Sequence, residues 1–162
     1  MNRVTLLCIN VVGSAYAMLH TDAQALEHCL RQSDSFVAII WPIAQGNEYI
    51  IKKILNKYGT IWYQKNIFLD KASATRLLQE AHPHVPANLP HCSSIKQHVH
   101  WYFPSWAYEH PARIFLMSFP SLQAALRCKY TVRKLFPKLQ YRSIHVTDYH
   151  REAVSLAKIL FV

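Results

Sequence analysis

Several features that mark common protein classes are scarce or missing in this chain. Only three of its 162 residues are glycine, which disfavours an architecture built from glycine-hinged loops. No stretch approaches the roughly 20 unbroken apolar residues of a transmembrane helix. None of the four cysteines lies in a CxxC pair, which argues against a zinc ribbon and a thioredoxin-like redox motif. The chain also lacks Walker, Rossmann, GxSxG and zinc-protease signatures.

Acidic residues are also few. The chain has nine Asp and Glu residues and 18 Lys and Arg residues, which gives a formal charge of +9. A surplus of this kind favours an anionic partner, such as a nucleotide, nucleic acid or a membrane surface, although an ordinary basic protein is an equally simple reading. Hydrophobic residues make up 51% of the chain, which excludes extensive disorder and allows one domain with a substantial core.

The N-terminal segment, residues 1–33, has two readings. Arg3 precedes an apolar run, and Ala15-Tyr16-Ala17 is typical of the cleavage site of a secretory signal peptide spanning residues 1–17. The single positive charge and the interruption by Asn10 argue against a signal. We therefore expect a cytoplasmic protein in which this segment forms an extra strand at residues 4–12 and a helix at residues 23–31. Export is the alternative.

Residues 34–162 alternate between strand and helix patterns. Strands are predicted at residues 36–41, 60–69, 113–119 and 143–147, and helices at residues 47–58, 71–81, 120–136 and 149–161. Without the second helix and the segment after it, the order is β-α-β-β-α-β, the split βαβ pattern of ferredoxin-like folds. The sequence thus predicts one α/β (α+β) domain with an antiparallel sheet and helices on one face. A doubly wound parallel sheet is the main alternative.

A long insertion at residues 82–111 separates the two halves of this pattern. Five prolines punctuate it, so we expect irregular structure that is functional or mobile. It holds a group of metal-ligand types: His82, His84, His91, Cys92, His98 and His100. Because their spacing fits no known zinc motif, no metal site is predicted. The neighbouring aromatic residues are expected to cover the core, with base stacking as the alternative: Trp101, Tyr102, Phe103, Trp106 and Tyr108.

Two segments resemble nucleoside diphosphate kinases. Residues 36–42 with the following helix and Gly59 look like the first strand, helix and turn of that family, and residues 142–148 look like its Asn-x-x-His-Gly-Ser-Asp block. The resemblance implies the same fold, binding of a nucleotide together with Mg²⁺, and His145 as the residue that takes a phosphoryl group. The C-terminal part, residues 129–136 and 143–148, also resembles uncharacterised microbial proteins with a His-Ser-Ile-His-x-x-Asp-type C-terminus.

The sequence departs from the kinase pattern at several supporting positions. Trp41 replaces a lysine, Arg142 an asparagine and Val146 a glycine, and Leu156 lies about where a glutamate of the last helix is expected. Phosphoryl transfer depends on positioning and on charge compensation, so these departures favour binding over catalysis.

The candidate site residues follow from these patterns. Alternation along the last strand places His145 on the face opposite Ile144 and Val146. Lys129 and Arg133 are one helical turn apart, so both can reach one phosphate. Arg142 and Asp148 complete the predicted ligand-binding set, with Asp148 also a candidate helix cap. The predicted function is binding of a nucleotide or other phosphorylated ligand, with weak phosphotransfer as an extension. The alternative is a non-catalytic protein-interaction or nucleic-acid-binding module. Formation of an oligomer is compatible with both functions.

Overall fold

The computed structural model describes residues 18–82 and 95–162. Four strands form one sheet in the order β2-β3-β1-β4, and every neighbouring pair is antiparallel. The strands are β1 Ser35–Ile40, β2 Thr60–Ile67, β3 Ala112–Ser118 and β4 Ile144–Val146. This arrangement confirms the ferredoxin-like α+β fold and excludes the parallel alternative. The proposed signal peptide and the strand at residues 4–12 lie outside the described residues.

Six α-helices accompany the sheet in the described part of the chain. They are α1 Asp22–Arg31, α2 Glu48–Tyr58, α3 Lys71–Ala81, α4 Ile95–Tyr102, α5 Leu122–Arg133 and α6 His150–Leu160. Residues just before three of these helices accept backbone N–H groups of the first turn through their side chains: Thr21, Asp70 and Ser121. Such caps satisfy donors that a helix leaves unpaired, which fixes where each helix begins. None of the helices described is long and apolar enough to cross a membrane.

The helices cover both faces of the sheet. Helices α2 and α5 pack against the face that carries Ala38 and Ile40, whereas α1, α3, α4 and α6 share a core with Val37 and Ile39 on the other face. The sequence-based expectation of helices on one face is therefore wrong. All six residues of β1 are buried, and its side chains alternate between the two faces of the sheet. Both faces therefore need an apolar cover.

The insertion at residues 82–111 contains more regular structure than its prolines predict. Helix α4 occupies the proline-free stretch before Pro104, and a 3₁₀ helix spans Ser105–Glu109. The expected core cover is confirmed for Tyr102 and Phe103, which are buried. Their rings meet Trp41 edge-on, with centroids 5.2 and 5.8 Å away.

Two cysteines lie inside the cores as free thiols, as their apolar surroundings predict. Burial raises the pKa of Cys29 to about 11 and that of Cys128 to about 12. Both side chains therefore act as small apolar residues and not as nucleophiles.

Gly59 provides a test of the packing between α2 and the sheet. A Cβ at this position would lie 2.3 Å from the carbonyl oxygen of Ser118 and 2.8 Å from the ring of Phe119. We expect Gly59→Ala to lower the free energy of unfolding by about 1–3 kcal/mol, since the backbone must move. At Gly46 a Cβ meets nothing within 4 Å but φ is +77°, so Gly46→Ala should cost only about 1 kcal/mol. Equal losses in urea denaturation would contradict the close approach.

Candidate anion-binding site at the edge strand

Strand β4 is a sheet edge, and its three residues point alternately to the two cores. Ile144 and Val146 pack with α2 and α5, and His145 faces the other way, as predicted. The flanking residue Thr147 accepts the backbone N–H of Val37 through its hydroxyl at 3.0 Å, which fixes the end of β4 against β1. The face that His145 occupies is covered, so its side chain is only 6% exposed.

A buried carboxylate orients His145. The Nε2 atom of His145 lies 2.8 Å from Oε1 of Glu152, and Oε2 of the same residue accepts the backbone N–H of Asp148 at 2.8 Å. An ionised carboxylate only accepts hydrogen bonds, so Nε2 is the protonated nitrogen. The other ring nitrogen, Nδ1, takes no part in this contact.

Glu152 is the functional candidate that sequence reasoning missed. The glutamate of the last helix was expected near Leu156, a position that is buried among apolar residues. The carboxylate comes instead from the first turn of α6, four residues after Asp148. The sequence signal for Glu152 is its position in the first turn of the helix that follows β4, the strand that carries His145. Glutamate in a first turn is common as a cap, so the pattern alone does not single it out.

His82 also lies beside His145. Their ring centroids are 5.2 Å apart with the rings nearly perpendicular, and Nε2 of His82 is 3.5 Å from the Tyr102 hydroxyl oxygen. His82 is one of the metal-ligand types in the insertion, and the structure places it against the candidate phosphate acceptor His145. Within residues 18–82 and 95–162, no three or more His, Cys, Asp or Glu side chains are arranged to hold a metal ion.

Lys129 and Asp148 form an ion pair at the same edge. The Lys129 Nζ atom is 3.0 Å from Oδ1 of Asp148; the lysine is buried, whereas the carboxylate side chain is 54% exposed. The prediction that Asp148 caps the last helix with its side chain is wrong, because the residue before α6 is Tyr149 and the Asp148 carboxylate turns to Lys129. A solvent-facing carboxylate thus covers a buried cation.

Arg133 lies one turn after Lys129 on α5 and is half-buried. Burial lowers the pKa of its guanidinium, and the nearby groups of Tyr130, Tyr102 and Asp148 act in the opposite direction. Its Nε atom is buried and has no hydrogen-bond partner among the described residues. A buried donor left in this state is costly, so it is a candidate contact for a ligand.

Arg142 is held by main-chain groups. Its guanidinium donates to the carbonyl oxygens of Trp101 and Lys138, both at 3.4 Å, and so ties α4 to the segment before β4. Among the candidate site residues, the structure pairs Lys129 with Asp148 and places Glu152 against His145. A role for Arg142 in ligand binding stays a prediction.

Comparison with known proteins supports the fold alone. The chain is similar to the nucleoside diphosphate kinase of Aquifex aeolicus, solved in an orthorhombic crystal form, with a TM-score of 0.53 and 13% identity over 81% of this chain and 96% of that one. No protein-family model and no curated protein matches the sequence. At this identity the similarity establishes a nucleoside diphosphate kinase-like fold and leaves chemistry to be argued from the site.

Proposed function

We propose that this protein binds a nucleotide or another phosphorylated ligand at the edge of β4. The observation that carries the proposal is the buried pair of His145 and Glu152, with a buried lysine and a half-buried arginine on the adjacent helix. Ion pairs inside proteins are costly to assemble and are common at sites of function. Here the pair uses one imidazole nitrogen, and the other, Nδ1, is the atom that we expect to face the phosphorus of a ligand.

The ion pair between Lys129 and Asp148 suggests how a phosphate would enter. Asp148 is exposed and holds the buried lysine at 3.0 Å, so a phosphate oxygen that replaced its carboxylate would find a cation already positioned. Arg133 lies on the same face of α5, and its buried Nε atom has no partner in the described structure. Two cations one turn apart match the spread negative charge of a phosphoryl group.

Weak phosphotransfer is the finer form of this proposal. The lone pair of His145 Nδ1 would attack the terminal phosphorus of a nucleoside triphosphate, forming an N–P bond while the P–O bond to the departing diphosphate breaks. The lysine that the resemblance to nucleoside diphosphate kinases leads one to expect is Trp41 here, which is fully buried and carries no charge. Loss of one preorganised charge-stabilising donor costs about 3 kcal/mol. Any transfer should therefore be about a hundredfold slower than in an enzyme that keeps this lysine.

Mg²⁺ is expected to accompany a bound nucleotide, where it would neutralise phosphate charge. The Asp148 carboxylate, half-exposed beside Lys129, is an oxygen donor of the type that Mg²⁺ prefers. Its use as a metal ligand requires release from the lysine, which phosphate binding would provide.

Labelling with a nucleoside triphosphate carrying a radioactive terminal phosphate tests the transfer. We expect a slow, acid-labile and base-stable adduct on His145 in the presence of Mg²⁺. His145→Ala should remove it, and the matched variant His20→Ala, at an exposed histidine near the start of α1, should keep it. Label that survives His145→Ala would refute transfer through this residue, while measurable nucleotide affinity without label would leave the binding proposal standing.

A nucleic-acid-binding or protein-interaction module is the second candidate. Trp101 and Trp106, in the C-terminal part of the insertion, are 42% and 45% exposed, and the chain carries a charge of +9. Exposed aromatic rings beside positive charge suit stacking on unpaired bases. Absence of any affinity for phosphorylated small molecules, together with salt-sensitive binding of an oligonucleotide, would favour this reading.

A further inference from the structure

Charge is divided unequally between the helices on the two faces of the sheet. Helices α2 and α5, which cover one face, hold six Lys and Arg residues and one acidic residue, Glu48. The Glu48 carboxylate is itself paired with Arg113, with 3.2 Å between Oε1 and Nη1. Helices α1, α3 and α6, on the other face, hold five Lys and Arg residues and four Asp and Glu residues. Positive charge is therefore concentrated on the helices of one face.

The cations of α2 face solvent because its apolar residues face the sheet. Ile51 and Leu55 are buried in the core beneath the helix. Lys53 and Lys57 are exposed and lie one helical turn apart on the opposite side, with Lys52 exposed beside them. The helix therefore presents a stripe of lysines outward.

Helix α5 continues this basic surface. It packs beside α2, and the hydroxyl oxygens of Tyr58 and Thr131 lie 3.2 Å apart across the contact. Arg127 is exposed on α5, and Lys134 is exposed at its C-terminal cap. Within residues 18–82 and 95–162, none of the five exposed cations of the two helices forms an ion pair: Lys52, Lys53, Lys57, Arg127 and Lys134. Their charge is available to an anionic partner.

Apolar and aromatic side chains are exposed among these cations. Tyr49 and Tyr130 are 78% and 57% exposed, and Ile50 is 44% exposed. Lysine and tyrosine together suit the boundary of a lipid bilayer, because the ammonium group meets the headgroup phosphates and the ring enters the layer beneath them. A nucleic acid would use the cations and the rings but would gain little from an exposed isoleucine. The side chains therefore favour a lipid surface over a nucleic acid.

We propose that the outer side of α2 and α5 docks this protein on the surface of an anionic lipid bilayer. Two neighbouring helices on one face of a sheet form a broad layer, which suits a planar partner better than the convex rod of a nucleic acid duplex. The lysines contact the lipid headgroups, and Tyr49, Ile50 and Tyr130 enter the outer part of the bilayer. His145 and Glu152 lie on the opposite face of the sheet, so this inference does not depend on the proposed phosphate site.

Co-sedimentation with lipid vesicles tests the docking. The full chain is mixed with vesicles of phosphatidylcholine alone and with vesicles that also contain phosphatidylserine. We expect binding only to the vesicles with phosphatidylserine at low salt, and loss of most of this binding at high salt, because salt screens exposed charges. Absence of binding to the anionic vesicles at low salt would overturn the proposal.

Two triple variants of equal net charge locate the surface. Lys52→Gln, Lys53→Gln and Lys57→Gln together should weaken binding to anionic vesicles about 100-fold, since each cation near such a surface contributes about a factor of five. The control removes three exposed cations from α3 and α6: Lys71→Gln, Arg151→Gln and Lys158→Gln. It should weaken binding by less than about fivefold. Equal weakening by two variants that unfold at the same urea concentration would show that net charge alone matters and would refute docking through α2 and α5.

A nitroxide-labelled lipid maps the docked face without any substitution. In anionic bicelles that contain this lipid, we expect the amide signals of Tyr49, Lys53 and Tyr130 to broaden, and those of α3 and α6 to stay sharp. Broadening centred on α3 and α6 would refute the assigned surface. An oligonucleotide that displaces the protein from anionic vesicles at an equal concentration of phosphate would identify nucleic acid as the preferred partner and overturn the choice of a lipid surface.

Discussion

Replacing Glu152 with alanine should lower the free energy of unfolding by about 2–5 kcal/mol, because it leaves two donors without acceptors at about 1–3 kcal/mol each. The change leaves Nε2 of His145 and the N–H of Asp148 without the acceptors they have at 2.8 Å. Urea denaturation measures the loss. The control is Glu27→Ala, which breaks an exposed pair with Arg31 on α1 and should cost about 0.5 kcal/mol or less.

A further variant separates charge from hydrogen bonding at this position. Glu152→Gln keeps an oxygen for the Asp148 N–H and loses the charge, so its cost should fall between those of the alanine variant and the control. If Glu152→Ala is no more destabilising than Glu27→Ala, the buried pair does not hold the site together. The orientation assigned to the His145 imidazole would then lose its basis.

Replacing Lys129 with methionine should weaken pyrophosphate binding about 10- to 100-fold, because hydrogen bonds to charged groups contribute about 1.5–3 kcal/mol each. Methionine keeps most of the buried length of the side chain and removes only the cation. Isothermal titration calorimetry at low salt and without Mg²⁺ measures the change. Lys53→Met, at an exposed lysine of α2, is the control and should have no effect.

Asp148→Asn should act in the opposite direction under the same conditions. The Asp148 carboxylate competes with phosphate for the Lys129 ammonium at 3.0 Å, so its neutralisation should tighten pyrophosphate binding. If Lys129→Met weakens pyrophosphate binding and Asp148→Asn tightens it, the ion pair is the point at which phosphate enters. Weaker binding in both would show that the carboxylate contributes to ligand binding and does not compete with the ligand.

The strands were predictable because their signals are local. The continuous apolar run from Phe36 to Trp41 indicates a strand buried on both sides, and β1 is central with all its residues buried. Because this run is apolar at every position, both faces of the sheet need helices to cover them. The order of strands and helices along the chain does not show this. Alternation in β4 correctly predicted the face of His145 because it depends only on the pleat of one strand.

The supporting groups of the site could not be predicted because they depend on how separate elements pack. Glu152 reaches His145 only when α6 turns back across the sheet, and His82 reaches it from the end of α3. Helix α4 was missed because it is eight residues long within a segment rich in proline, where local signals indicate a loop. Contacts of this kind are set by tertiary structure and leave no spacing rule in the sequence.

Chemical-shift mapping tests the central claim most directly. The uniformly ¹⁵N-labelled chain is titrated with a non-hydrolysable nucleoside triphosphate analogue, with Mg²⁺ present and absent. We expect the largest backbone amide shifts at Lys129, Arg133 and residues 145–148. Shifts concentrated instead at the cleft between α2 and β2, which contains Lys52 and Arg113, or no shifts at millimolar ligand, would contradict a phosphate site at the edge of β4.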